Sequence, residues 1–126
     1  MDIKIGADGE KNCHVTISGD VDKGLSLPVS ILFFKDLRGS PRGLRLDAIQ
    51  FAVQEKMGFN LFWLLESEAK IPKLKLILPV ESRGFFDFEK IKPIESPPEA
   101  IGVGLTAFRV SEPGMTFMIM LDFTKL

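Results

Sequence analysis

The residue types that most often carry chemistry are scarce in this sequence, and the two that stand together are Cys13 and His14. They are the only cysteine and the only histidine among 126 residues. A nucleophilic thiolate needs a base beside it in space, but adjacent side chains of an extended segment point to opposite faces. The pair therefore predicts no catalytic dyad, and we expect Cys13 to be a small buried residue and His14 to be exposed.

Metal, cofactor and acid–base sites are equally hard to assemble from this sequence. A structural zinc site takes four ligands, and no stretch carries the spaced acids of a calcium loop. The carboxylates of Glu66, Glu68, Glu81 and Asp87 fall mostly at predicted strand ends and turns, where solvated acids are normal. No glycine pattern matches a phosphate-binding fingerprint. We therefore expect no catalytic residues, no metal and no cofactor, and a protein that is not an enzyme.

A basic segment offers binding chemistry instead. Residues 35–45 form a predicted loop that contains two glycines, one proline and four basic residues. Within this loop, Arg38 and Arg42 are candidates for gripping a phosphate, a sulfate or an acidic protein partner. The alternative interpretation is a solvated, mobile loop without a partner.

Two other features have a functional and a structural interpretation. Trp63 could stack on a sugar ring, but it alternates with Phe59 and Leu61, which favours a position in the core. Gly102 and Gly104 lie in an alternating apolar run with no helix predicted after them. We expect these glycines to leave one face of a sheet bare for close packing.

The most informative pattern is a set of strands that are apolar on both faces. A strand with one face in water should carry polar residues at alternate positions. The segments 31–34, 61–65 and 117–121 lack them, which predicts that a second face is covered, either by another subunit or by a helix or loop of the same chain. The candidate partner-binding residues on the second faces are Phe62, Leu64, Met118 and Met120.

Alternation with a period of two predicts the elements that position these side chains. Apolar residues recur at every second position in 3–5, 15–17, 25–33, 59–65, 101–105 and 117–123. In 74–80 they place Leu74, Leu76, Leu78 and Val80 on one predicted face, with Lys73 and Lys75 on the other. Residues 48–57 fit either a helix capped by Asp47 or a strand, and the scatter of their polar residues on a helical wheel favours the strand.

Turn residues predict how these strands are connected. Asp8-Gly9 closes a first hairpin, and Ser82-Arg83-Gly84 leads into a segment with Phe86 and Phe88. Residues 92–99 hold three prolines and form a predicted connecting loop. Glu112-Pro113-Gly114 predicts a type II turn that joins 101–105 to 117–123 as a final hairpin. Pro28 predicts that its strand lies at an edge or contains a bulge.

Composition sets the class of protein. The formal net charge of −1 gives no electrostatic attraction to nucleic acid. No apolar run is long enough for a membrane span, and the N-terminus lacks a signal-peptide pattern. We expect a cytoplasmic protein or one assembled into a particle from the cytoplasm. Eleven phenylalanines against no tyrosine require a core or a partner for most of these rings.

These observations predict a single all-β domain over residues 1–126. We expect an antiparallel β-sandwich, jelly-roll-like, with about eight strands and at most one short helix. The predicted function is a non-enzymatic structural protein that self-associates or decorates a larger particle, most concretely a capsid or tail accessory protein of a virion. The alternative is a β-domain that binds a carbohydrate or another small ligand.

Overall fold

The computed structural model describes residues 2–20, 29–54, 57–68, 73–109 and 116–126. In these ranges the chain forms ten strands, one 3₁₀ turn at Phe34–Asp36 and one four-residue helix, α1, at Phe88–Ile91. The strands are β1 (Asp2–Asp8), β2 (Asn12–Asp20), β3 (Val29–Phe33), β4 (Leu44–Val53), β5 (Gly58–Leu65), β6 (Lys73–Val80), β7 (Arg83–Asp87), β8 (Ile94–Glu95), β9 (Ala100–Arg109) and β10 (Thr116–Lys125). None of the helices in these ranges is both long and apolar enough to cross a membrane.

The strands form two antiparallel sheets. One has the order β1-β2-β10-β4-β7, with the short β8 pairing with β4, and is called here the six-stranded sheet. The other, the four-stranded sheet, has the order β3-β9-β5-β6. The chain crosses between the sheets six times, after β2, β3, β4, β6, β8 and β9. The orders β2-β10-β4-β7 and β3-β9-β5-β6 are those of a jelly roll, so the predicted fold class is confirmed.

The core lies between the two sheets. Phe117, Ile119, Leu121 and Phe123 occupy alternate positions of β10 and are buried. Ring contacts cross from one sheet to the other, with centroids 4.5 Å apart for Phe59 and Phe117. Such contacts between inward-facing rings hold the two layers of a sandwich together.

The structure decides between the alternative interpretations of residues 48–57 and of Trp63. Of residues 48–57, which fit a helix or a strand, 48–53 lie in β4, a ten-residue strand in the interior of the six-stranded sheet, while 55–56 lie outside the described residues. Trp63 is buried in the core, where its ring lies 6.3 Å from those of Phe34 and Phe123. An exposed sugar platform at Trp63 is therefore excluded.

The predicted final hairpin is wrong. β9 pairs with β3 and β5 in the four-stranded sheet, whereas β10 pairs with β2 and β4 in the six-stranded sheet. Alternation locates both strands correctly, but a turn signal between them does not establish that they pair. The predicted turn at 112–114 lies outside the described residues, as do Pro28 and the first part of its predicted strand.

Two smaller boundaries also differ from the sequence-based expectation. The bend before β7 lies at Ser82, which has a φ of 66°, while Gly84 is already within the strand. Phe88 starts α1 instead of continuing β7, although its ring still stacks on Phe86 at a centroid distance of 6.0 Å. The proline-rich loop contains the two residues of β8, Ile94–Glu95.

Candidate interaction surface

The register of the four-stranded sheet decides which side chains point away from the core. Directly opposed residues of an antiparallel ladder lie on the same face. Leu61 and Trp63 point inward, so Asn60, Phe62 and Leu64 point outward. Their partners on the neighbouring strands share that outer side: Pro79, Leu76 and Leu74 on β6, and Thr106, Gly104 and Gly102 on β9.

None of these nine outward residues carries a charge, and we call these nine positions the uncharged face. Its most exposed large apolar side chain is Leu76, with 52% of its surface accessible. Phe108, at 46%, lies at the end of the same face, where its ring contacts the position of Gly58. Large apolar side chains therefore reach solvent on this side of the sandwich.

Leu64 is covered within the chain. It is only 2% exposed, because it lies on Gly104, where an added Cβ would come within 2.8 Å of the Leu64 Cδ2 atom. The prediction that Gly102 and Gly104 permit close packing is thus confirmed. Phe62 stays half-buried beside Leu64. The sequence places a contact surface at Phe62 and Leu64, but the exposed apolar surface on this side is centred on Leu76, the ladder partner of Phe62.

A β-bulge explains why the sequence pattern did not single out Leu76. The ladder between β5 and β6 shifts between Leu61 and Phe62, so that Ile77 is the extra residue on β6. The bulge turns Leu76 to the outer face, while Leu78 and Val80 face the core. The prediction that Leu74, Leu76, Leu78 and Val80 share one face is wrong. The signal was present as three consecutive apolar residues, 76–78, which break the alternation.

The two methionines of the predicted contact set lie on the opposite side of the sandwich. Met118 and Met120 point outward from β10 in the six-stranded sheet, with Met118 opposite Ser18 and Ala52. Met118 is 37% exposed and Met120 is partly buried. The structure therefore does not bring Met118 and Met120 together with Phe62 and Leu64.

The outer side of the six-stranded sheet is polar around these methionines. Nδ1 of His14 is paired with a carboxylate oxygen of Asp122, its cross-strand neighbour, and Nε2 lies 3.4 Å from the hydroxyl of Thr16. Arg83, Phe85 and Asp87 of β7 are further outward residues of this sheet, and Phe85 is 63% exposed. Sequence reasoning missed the pair between His14 and Asp122, because its members lie 108 residues apart.

The loop that carries Arg38 and Arg42 is anchored at its base. The Arg38 backbone N–H donates to Oδ2 of Asp8 at 2.8 Å, and Nζ of Lys125 donates to the Arg38 carbonyl at 2.8 Å. Lys125 also pairs with Asp8, and these contacts hold the pKa of the Asp8 carboxyl below its usual value. The side chains of Arg38 and Arg42 remain exposed and available to a partner.

Arg42 borders a small cleft beside this loop. The cleft has a volume of about 290 Å³ and is lined by Phe33, Phe34, Lys35, Pro41, Arg42, Ala100 and Ile101. Nζ of Lys35 lies 5.7 Å from the centre of the Phe33 ring, a cation–π distance. The cleft is therefore lined mostly by apolar residues, and its two cationic side chains are those of Lys35 and Arg42.

Cys13 is buried, as its pattern predicts. Burial raises the pKa of its thiol to about 11, which disfavours the thiolate that a nucleophile or a metal ligand requires. Among the described residues, no group of three or more His, Cys, Asp or Glu side chains is arranged to hold a metal ion.

Comparison with known proteins gives no family for this chain. No protein-family model matches the sequence, and no curated protein matches it either.

Proposed function

We propose that this protein is a non-enzymatic assembly protein, a jelly roll that associates with further copies of itself through the uncharged face. The observation that carries the proposal is the absence of charge from the nine positions of the uncharged face, together with the exposure of Leu76 there. The most concrete setting is a subunit that decorates a larger particle, such as a virion capsid or tail.

The contrast between the two outer faces supports this choice. An outer face that stays in water carries polar and charged residues at alternate positions. The outer side of the six-stranded sheet carries four charged or titratable residues, His14, Asp122, Arg83 and Asp87, with Phe85 and Met118 exposed among them. The uncharged face carries no such residue. Depletion of charge around apolar side chains is typical of the centre of protein–protein interfaces.

The alternative, a carbohydrate- or small-ligand-binding domain, has less support. Its main candidate was Trp63, which lies in the core and is unable to stack on a ligand. Two of the apolar side chains that reach solvent, Leu76 and Phe108, lie on the outside of the four-stranded sheet. A sheet surface of this kind fits a second protein surface better than an enclosed small molecule.

The proposal is tested by measuring mass in solution. We expect the wild-type chain to have a mass that is a discrete multiple of 14.0 kDa by light scattering on a sizing column. Leu76→Lys places a charge on the uncharged face without removing a buried side chain. It should weaken association at least about tenfold, because an unpaired charge would be desolvated in the contact.

Met118→Lys is the matched control. Met118 is an exposed outward residue like Leu76, but it lies on the other sheet. If the uncharged face is the contact, Met118→Lys leaves the mass unchanged. If instead Met118→Lys dissociates the assembly and Leu76→Lys does not, the contact lies on the six-stranded sheet. A wild-type chain that is monomeric at the highest concentration reached would contradict self-association altogether.

A further inference from the structure

β1 is the terminal strand of the six-stranded sheet, and its outer edge is a second place where another chain can bind. In the part of the chain that the structure describes, β1 pairs with β2 alone. A terminal strand presents a row of backbone N–H and C=O groups that can pair with a further strand. Ile5 of β1 is 43% exposed, so apolar side-chain surface accompanies this edge.

The edge strand β6 of the other sheet is less regular. It contains Pro79, which has no backbone N–H to donate, and it is interrupted by the bulge at Ile77. Proline and bulges are among the devices by which edge strands avoid pairing with other chains. In β1 the only irregularity falls between Ile5 and Ala7, so the ladder from Asp2 to Ile5 is regular.

The charges of β1 select one register for pairing with a second copy. Asp2 and Lys4 lie on the outer face with Ser18 and Thr16, whereas Ile3 lies on the inner face with Ile17. Two copies of β1 related by a two-fold axis at Ile3 place Asp2 of each copy opposite Lys4 of the other. Ile3 then meets Ile3, and both outer-face pairs are attractive.

Other symmetric registers are unfavourable. An axis at Asp2 opposes two aspartates, and an axis at Lys4 opposes two lysines. An axis at Ile5 or beyond runs into the bulge between Ile5 and Ala7, past which Asp8 lies on the inner face opposite Cys13 and no longer shares a face with Asp2. An axis between two residues would pair inner-face with outer-face side chains, which a continuous sheet does not permit.

We propose that β1 pairs antiparallel with β1 of a second copy of this chain, about a two-fold axis at Ile3, and so joins two six-stranded sheets into one. The contact is isologous, since the same strand serves in both copies. It is separate from the uncharged face, which lies on the other sheet. A protein with both contacts has two ways to associate and can grow beyond a dimer.

The test isolates this contact in the Leu76→Lys background, which removes association through the uncharged face. Sedimentation equilibrium of that variant should still show a dimer. Adding Asp2→Lys, or separately Lys4→Asp, turns both attractive pairs into repulsive ones and should weaken dimerisation at least about tenfold. Combining Asp2→Lys with Lys4→Asp restores opposite charges across the axis and should restore the dimer.

Lys75→Asp in the same background is the control, because it reverses a charge on the edge strand β6, which is not part of the contact. It should leave the dissociation constant unchanged, and circular dichroism should show the same β-sheet spectrum for all variants. A monomeric Leu76→Lys protein would overturn the proposed pairing while leaving the uncharged face supported. A double charge reversal that fails to restore the dimer would overturn the register. A dissociation constant that Asp2→Lys leaves unchanged would also overturn the register.

Discussion

At the scale of single residues, the ammonium group of Lys125 makes three contacts with distant parts of the chain. Its side chain is only 5% exposed, and Nζ donates to the Asp8 carboxylate and to the carbonyls of Gly9, at 2.6 Å, and Arg38. An ammonium group has three donors. All three are used, so one lysine near the C-terminus ties the β1–β2 turn to the loop that carries Arg38 and Arg42.

Replacing Lys125 with methionine should therefore destabilise the protein. The variant keeps the apolar stem but leaves two carbonyls and the Asp8 carboxylate without their donor, at a cost of about 2–4 kcal/mol in the free energy of unfolding. Urea denaturation measures the change. Lys75→Met removes an exposed lysine of β6 and should stay within about 0.5 kcal/mol of wild type. Equal stability of the two variants would show that the Lys125 contacts contribute little.

The same cluster gives a pH dependence with a defined sign. The hydrogen bonds from Lys125 and then from the Arg38 N–H lower the pKa of Asp8 below 3.8 in the folded protein. The unfolded chain thus binds a proton at Asp8 before the folded chain does. The stabilisation is fully present above about pH 5 and is lost as the pH falls through the folded pKa. The stability difference between wild type and Asp8→Asn should accordingly shrink below pH 4, as urea denaturation across pH 3–7 would show. A constant difference would contradict the assignment.

At the scale of elements, Gly102 controls how closely β3 approaches β9. A Cβ added at Gly102 would lie 2.4 Å from the carbonyl oxygen of Leu32, a backbone atom that no side-chain rotation can move. Gly102→Ala should separate the two strands and cost about 1–3 kcal/mol, the usual range for overpacking. Thermal or urea unfolding measures this loss.

Gly6→Ala is the control for this substitution, because Gly6 is also a strand glycine. Its added Cβ would meet nothing nearer than Cδ2 of His14, at 3.5 Å. That is ordinary contact, so Gly6→Ala should be neutral or slightly stabilising, since alanine restricts the unfolded chain more than glycine does. A Gly102→Ala protein as stable as Gly6→Ala would mean that β3 is free to shift.

The strands show which features of the fold can be predicted from the sequence and which cannot. Alternation found the strands, including β4, because each buries every second side chain locally. Alternation did not predict which strands pair, since β9 and β10 follow each other in sequence yet join different sheets. It also did not find the exposed position of Leu76, because a one-residue bulge reverses the inward and outward sides of a strand. Pairing and bulges depend on residues far away in the chain.

At the scale of the whole molecule, the last strand completes the fold. β10 lies inside the six-stranded sheet, between β2 and β4, and brings Phe117 and Phe123 against Phe59 and Trp63 of the opposite sheet. The ladder between β2 and β10 joins residues about a hundred positions apart, such as Cys13 and Phe123. Such non-local pairing predicts folding in milliseconds to seconds rather than microseconds.

Truncation compares what the interior strand β10 and the edge strand β1 contribute to the stability of the fold. Removing residues 116–126 deletes β10, opens the six-stranded sheet at its middle and exposes the core, so we expect an unfolded chain. Trp63 fluorescence should shift to the red and be quenched by acrylamide. Removing residues 2–6 deletes most of β1 but keeps Asp8 and the pairing of β2 with β10, so Trp63 should stay shielded. A chain without 116–126 that still buries Trp63 would show that the four-stranded sheet and its neighbours fold without β10, contrary to the role that the strand order assigns to it.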